Sequence, residues 1–353
     1  MGKQHLAKGI GRMSEMIMTK AKGSWVWTSD NRKLLDFTSG IAVTSVGHSH
    51  PKVVAAVQKQ AATLVHAQVN IGYHQPMLDL TDKLLPVLPK SLNSLFFACS
   101  GSEAIENAVK LARHATGKSK VIAFQGGYHG RTIGTMSLTS SKTVYSAGFG
   151  PLMPGVTFVP YPYATHSPIQ DEGFARTGDY FAIDSHFDVQ PDILAFAKGI
   201  ADGYPISGIA SRKELTDTQP AGSMGGTYAG NAVACAAAIA TQEVIAEENV
   251  LENTRTRSAQ LHAGLNKLKA SGKYPILDVR GLGLMIGIEF DPAHAPKGTA
   301  NKISAACLDH GMMLLTTSIY ETLRFMPALT VTEDECALAL EIFEKALDDV
   351  FAK

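Results

Sequence analysis

Short apolar strands that alternate with amphipathic helices constrain this chain more than any other feature. Leu95-Phe-Phe-Ala-Cys99 reads as a strand. Ser102 to His114 follows at helical spacing, with Ala104, Ile105, Ala108, Val109, Leu111 and Ala112 on one face. Val121-Ile-Ala-Phe124 and Val156-Thr-Phe-Val-Pro160 are further strands. Such alternation predicts an α/β fold, a mostly parallel sheet covered by helices. Upstream, Gly23 to Phe37 reads as two short strands turning at Asp30-Asn31, and Pro51 opens a helix to Leu64. Downstream the pattern changes. Asp278 to Phe290 and Leu314 to Leu329 bracket a helix near Ala300 to His310, and a last helix runs from Glu333 to Val350. That tail predicts a smaller α+β unit.

Composition excludes several functions. A chain of 353 residues buries enough surface for two domains. Its 32 basic and 32 acidic residues cancel, which argues against a nucleic-acid binder, since that needs a basic face. No apolar run is long enough to cross a membrane. Cys99, Cys235, Cys307 and Cys336 show no C-x-x-C spacing, which fits a reducing compartment. The first residues carry neither a secretory nor a myristoylation pattern. The expectation is a cytoplasmic protein, with a mitochondrial setting also compatible.

Five stretches can carry chemistry. Ser100-Gly-Ser-Glu103 joins a strand to a helix with capping-box spacing. It can cradle a phosphate on free backbone N–H groups, although a plain capped helix accounts for the spacing by itself. Gly126-Gly-Tyr128-His129-Gly-Arg131-Thr132 follows the strand at 121–124. There an aromatic ring can lie on a planar ligand and Arg131 can fork onto a carboxylate, or the segment is a Gly-rich turn. Pro191 to Phe196 is an apolar run that ends at Lys198 and then glycines. Desolvation would lower the pKa of a lysine there, as a Schiff-base nucleophile requires, or it is a surface lysine where the strand exits. Gly225-Gly-Thr227-Tyr-Ala-Gly-Asn231 opens an alanine-rich helix over 232–246, a second anion-binding terminus. Arg324 sits within the apolar strand Leu323-Arg-Phe-Met326 and needs a partner such as a substrate carboxylate.

Two patterns mislead. Gly281-Leu-Gly283-Leu-Met-Ile-Gly287 imitates a dinucleotide fingerprint, but strand character continues through it with no helix after it. Gly47-His48-Ser-His50-Pro51 offers two histidines without the further ligands a metal needs, and reads as a loop entering the Pro51 helix.

Together these pieces resemble the class III aminotransferases, pyridoxal-phosphate enzymes of fold type I, and most of all their 4-aminobutyrate branch. The motifs are Asp36-Phe-Thr-Ser-Gly-Ile-Ala-Val43, Gly47-His-x-His-Pro51, Ser100-Gly-Ser-Glu-Ala-Ile-Glu-Asn107, Tyr128-His-Gly-Arg-Thr132, Tyr145 to Gly155, Gly173-Phe-Ala-Arg-Thr-Gly178, Phe196-Ala-Lys198, Gly226-Thr-Tyr-Ala-Gly-Asn231 and Val279-Arg-Gly-Leu-Gly283. Their co-occurrence in this order is specific, and it runs from about Gly23 to Val350. The resemblance implies a seven-stranded-type large domain over 51–262. A small domain is built from the N-terminal segment 1–50 and the C-terminal segment 263–353.

It also implies roles. Lys198 matches the lysine that holds pyridoxal 5'-phosphate as a Schiff base. Gly101 and Ser102 match the phosphate turn. Tyr128 matches the aromatic on the pyridine ring, with His129 beside it. Thr227 matches the threonine that reaches the neighbouring subunit's cofactor, which implies a homodimer with shared sites. Arg131 and Arg324 match the two carboxylate-binding arginines, and Ile41 and Val43 match residues at the substrate entrance. The implied reaction moves an amino group from an ω-amino acid to a 2-oxo acid such as 2-oxoglutarate. Acetylornithine, ornithine or another amine is the rival donor within the class. A cofactor-free relative without turnover is the rival outside it.

One stretch departs from the pattern. Tyr161 to Glu172 has almost no apolar periodicity, and Asp171-Glu172 joins directly to Gly173. The family's Asp-Glu-x-Gln strand and its upstream Glu-Pro-x-x-Gly-Glu-Gly-Gly strand end are absent. Asp171 is the nearest match for the carboxylate facing the pyridine nitrogen. Either the sequence joins segments that lie apart in the native chain, or the chain carries an internal deletion. A sheet without two interior strands would forfeit more than the ~5–15 kcal/mol that a domain has to lose. The first explanation is therefore expected, with a Cα step far above ~3.8 Å between Thr165 and Gly173.

Overall fold

The computed structural model describes residues 2–160, 175–183, 190–317 and 319–351. The expected break between Thr165 and Gly173, and Asp171 with it, lie outside those residues.

The N-terminal strands form as expected. Trp25–Thr28 (β2) and Lys33–Asp36 (β3) pair antiparallel about Asn31, which takes a left-handed φ of 64°. Met18–Lys22 (β1) adds on the outside, a strand the composition hid because its residues are mostly exposed. The other edge of β3 is taken in parallel by Met312–Met313 (β11), so residues from the two ends of the chain share one sheet. A second antiparallel sheet has the order β12 (Leu315–Thr317), β13 (Thr322–Phe325), β10 (Met285–Phe290), β9 (Ile276–Leu282). The glycines of the false dinucleotide motif make its β9–β10 turn. Gly281 has a φ of 133°, and a Cβ on it would overlap the Met285 carbonyl.

The central region is two sheet fragments rather than one seven-stranded sheet among the described residues. Ser94–Ala98 (β4) and Ile193–Phe196 (β7) flank Ser207–Ser211 (β8), both antiparallel to it. Val121–Phe124 (β5) pairs in parallel with Val156–Val159 (β6). Only that last pairing has the expected parallel sense. The reversal comes from β8, which returns after the short Lys198 turn instead of through a helix, and a short connection joins antiparallel strands only. The run before Lys198 is also less enclosed than its apolar sequence suggests, for Ala195 is exposed and Ile193 and Leu194 are half-buried.

Helices pack around these fragments. Pro51–Thr63 (α1) and Gln75–Leu84 (α2) lie on Ala232–Glu247 (α5), with Gly101–Thr116 (α3) and Ile133–Leu138 (α4) between them in sequence. Helix α5 is apolar nearly all round and is buried accordingly. Its alanines have little side chain to hold helix axes apart, so α1 and α2 pack tightly against it. Val250–Ala270 (α6), Thr299–Asp309 (α7) and Glu333–Phe351 (α8) cover the C-terminal sheet. No helix of the described residues is long and apolar enough to cross a membrane.

Candidate active site

The strand β4 ends against the N-terminus of α3. Ser100 Oγ accepts the Glu103 N–H, and the Glu103 carboxylate accepts the Cys99 and Ser100 N–H groups at 2.6 and 3.3 Å. Both halves of the capping box therefore form. By helix geometry the N–H groups of Gly101 and Ser102 have no acceptor within the helix, so this end suits an anion. Two neighbours enclose it. A Cβ on Gly101 would lie 3.5 Å from Ala197 Cβ, which places the residue before Lys198 directly against the turn. A Cβ on Gly130 would overlap Ser102 Oγ, so the loop carrying Tyr128, His129 and Arg131 closes down on the same helix end. Ser207 Oγ donates to the Ser100 carbonyl at 2.6 Å and ties β8 to it.

Lys198 is half-buried and has a left-handed φ of 55°. It begins a single 3-10 turn, Lys198–Ala201, that Asp202 ends with a φ of 48°. His129 is half-buried, and its N–H donates to Thr139 Oγ1 at 2.9 Å. Tyr128 and Arg131 are exposed. Arg131 Nε donates to the Tyr128 hydroxyl at 3.1 Å, and its guanidinium lies 4.8 Å from the centre of the Tyr145 ring. Thr227 is exposed on a loop whose Tyr228 meets the His66 ring at 5.6 Å.

Ile41 occupies an unexpected conformation. Ser39, Gly40, Ile41 and Ala42 all have positive φ, from 46° to 67°. This left-handed turn costs about 1–2 kcal/mol at each residue that is not glycine. Asp36 holds it. Its Oδ1 accepts the Thr38 N–H and hydroxyl at 2.8 and 2.7 Å and the Ser39 N–H at 3.1 Å, while Oδ2 meets His48 Nε2 at 2.8 Å. Ser39 Oγ donates to the Met326 carbonyl, two residues beyond Arg324. Ile41 is thereby held out at 51% exposure next to the strand that carries half-buried Arg324. His48 thus serves a carboxylate, and His50 Nε2 meets Glu248 at 3.1 Å.

Three buried groups were not singled out from the sequence. Arg176 is 1% exposed and donates through one terminal nitrogen to the Leu284 and Pro327 carbonyls at 3.0 and 2.7 Å. Burial first, and the nearby Arg324 second, pull its pKa down to about 10, with Asp36 opposing them. Asp36 is the second group. Asp202 is the third, and its Oδ1 accepts the Val46 N–H at 2.9 Å. Burial raises its pKa from 3.8 to about 7, against the Val46 bond and His48. An acid whose folded pKa lies above its unfolded one binds its proton more tightly when folded. Its contribution to stability therefore falls as pH rises from about 4 to about 7. Asp202→Asn should melt higher than the native chain at pH 8 and lose most of that gain at pH 5 in calorimetry.

A strand-to-helix anion turn has a lysine turn seated against it and a Gly-rich aromatic loop closing on its helix end. The chain belongs to the class-III aminotransferases, whose family model matches residues 7–172 and 169–347. It is an enzyme of that family, a pyridoxal-phosphate-dependent transaminase with the α/β fold type I. It is 34% identical to 5-aminovalerate aminotransferase DavT of Pseudomonas aeruginosa, over 97% of this chain and 96% of that one. It is 34% identical to 4-aminobutyrate aminotransferase GabT of Escherichia coli, over 98% and 96%. Acetylornithine aminotransferase of Caldanaerobacter subterraneus is 32% identical over 95% of each chain. The fold matches a solved transaminase from Virgibacillus with a TM-score of 0.93 and 22% identity, over 99% of this chain and 98% of that one.

These matches locate what is missing. The alignment to the Pseudomonas protein has 411 columns, yet 97% of 353 residues is about 342, so about 70 columns face gaps in this chain. The two family-model segments meet at residues 169–172, which puts the gap there. The residues that are present fit the cofactor. The α3 terminus, enclosed by Ala197 and Gly130, suits its phosphate, and Lys198 stands next to that terminus.

Proposed function

We propose that this transaminase takes the amino group of a linear ω-amino acid of the 4-aminobutyrate or 5-aminovalerate type and passes it to a 2-oxo acid such as 2-oxoglutarate. The observation that carries the reading is the seat of the Lys198 turn against the Ser100–Gly101 turn, in a chain whose relatives at 34% identity are named for those two substrates. Bound pyridoxal phosphate supplies an aldehyde that captures amines and a ring that takes up electron density. The chain supplies the rest. Gly101 and Ser102 hold the phosphate, with Thr227 of a second copy assisting. Tyr128 would pack on the cofactor's ring and His129 would stand beside it. Lys198 holds the cofactor and then, as a free amine, moves a proton at the substrate carbon that bears nitrogen. Arg324 and Arg131 take the substrate carboxylates, and Ile41 narrows the entrance.

The reading includes a cytoplasmic homodimer that shares its sites. Thr227 and Tyr228 are exposed on a single chain, and so are Ile71 at 88% and Tyr73 at 80%. Apolar surface of that kind is what a subunit contact covers. It also includes the two-domain division at residues 50 and 262. The fragments β6–β5 and β7–β8–β4 are read as the flanks of one seven-stranded sheet whose two interior strands fall in the gap. Ile122 on β5 is 70% exposed, as a strand short of its cover would be.

An absorption spectrum after adding pyridoxal phosphate tests the reading. A near-visible band supports it, and a protein that stays colourless replaces it with a relative that has lost turnover. Given the band, rates with 4-aminobutyrate, 5-aminovalerate, acetylornithine and simple amines identify the donor. Arg131→Ala should lower kcat/KM for 4-aminobutyrate about 10–100-fold, the worth of a charged hydrogen bond. An unchanged value would remove Arg131 from the site.

A further inference from the structure

The Lys198 turn rests on α5 but is not itself continued by a helix. It is a single 3-10 turn with a left-handed residue at each end, Lys198 and Asp202. Left-handed backbone at residues other than glycine persists only where the surroundings impose it. Here those surroundings are α5 on one side and the segment from Val43 to His48 on the other. A Cβ on Gly199 would overlap Ser45 Oγ, so the two backbones are in close contact. Asp202 Oδ1 accepts the Val46 N–H at 2.9 Å, with Asp202 8% exposed and Val46 1%. The same segment is fixed from its other side. His48 Nε2 meets Asp36 Oδ2 at 2.8 Å, Leu329 N–H donates to the Ser45 carbonyl at 2.7 Å, and Thr330 Oγ1 donates to the Val46 carbonyl at 3.1 Å.

We infer that Asp202 is a positioning residue, whose bond to the Val46 N–H holds the Lys198 turn on the segment that also carries the substrate-entrance turn. This rests on the reading of Lys198 as the cofactor lysine. Asp202 is four residues past Lys198 and acts through the backbone between them, whose residues Gly199, Ile200 and Ala201 are all buried. The charged groups facing it are His48, across the Val46 loop, and behind His48 the carboxylate of Asp36. Because Asp36 holds the Ile41 turn through Thr38 and Ser39, one bracket sets the lysine and the entrance relative to each other.

Two substitutions separate the bond from the charge. Asp202→Asn keeps an oxygen acceptor for Val46 and removes the charge. Asp202→Gly removes the acceptor at a φ that glycine adopts freely. The readout is the rate at which added pyridoxal phosphate becomes fixed to the chain under borohydride, with the modified lysine mapped by mass spectrometry. Asp202→Gly should slow fixation at Lys198 at least about tenfold, since small misplacements of a reacting group carry such penalties. Asp202→Asn should restore the rate to within about twofold. With 4-aminobutyrate as donor, Asp202→Gly should lose kcat more than it changes KM. Equal fixation rates in the native chain and Asp202→Gly would overturn the inference. Fixation at a different lysine in the native chain would instead overturn the reading of Lys198. Hydrogen exchange needs no variant. The Val46 amide should be protected as strongly as that of Leu329, and exchange at the rate of exposed loop amides would overturn the inference too.

Discussion

Lys198→Ala should abolish the near-visible absorption of the protein with added pyridoxal phosphate and lower transamination at least about a thousandfold. Two functions are lost together. Ala197, the residue before Lys198, is what a side chain on Gly101 would meet. The amine that would move a proton at the substrate carbon is also gone, and such groups contribute about 10²–10⁴-fold by themselves. A mild amine base added to the assay should recover part of the rate without restoring the band. Full absorption in Lys198→Ala would mean that another group holds the cofactor.

Gly281→Ala should be the most damaging conservative change away from the site. A methyl group there meets the Met285 carbonyl, which is backbone and cannot rotate away. The residue also has a φ of 133°, a conformation that L side chains rarely adopt. Overpacking and strain of this kind cost about 1–3 kcal/mol each, so a loss of about 3 kcal/mol or more is expected. Denaturant titration against Gly272→Ala is the comparison. Gly272 also has positive φ, 65°, but nothing lies near its missing side chain. Equal losses would show that backbone conformation alone matters at Gly281.

The sequence was most informative where local chemistry decides local structure. Pro51 opens α1, Ser100 with Glu103 caps α3 and the Asp30-Asn31 turn joins β2 to β3. It was least informative where the cause lies far along the chain. Helix α6 went unread because its sequence shows only a weak apolar stripe. The left-handed turn at Ser39–Ala42 has no local signal beyond Gly40, because its supports are a buried carboxylate and the Met326 carbonyl. Asp202 sits in a stretch that reads as a Gly-rich turn, and only its distant partner Val46 shows what it does. Arg176 was visible within Gly-Phe-Ala-Arg-Thr-Gly, but not its place beside Arg324. The stretch where the sequence departs from the family pattern coincides with the place where about 70 residues of a relative have no counterpart in the chain.

The two sheet fragments have a consequence for handling. Among the described residues β5 pairs on one side alone, with β6, and β7 on one side alone, with β8. Along such sides, N–H and C=O groups without a strand partner among the described residues can pair with an extended segment. On β5 the exposed Ile122 stands beside one of them. Concentration therefore becomes a property of the preparation and not only of the assay. At low concentration the chain should sediment as one discrete species. As concentration rises, strand pairing between copies should compete with it, and a charged substitution at Ile122 should delay that growth.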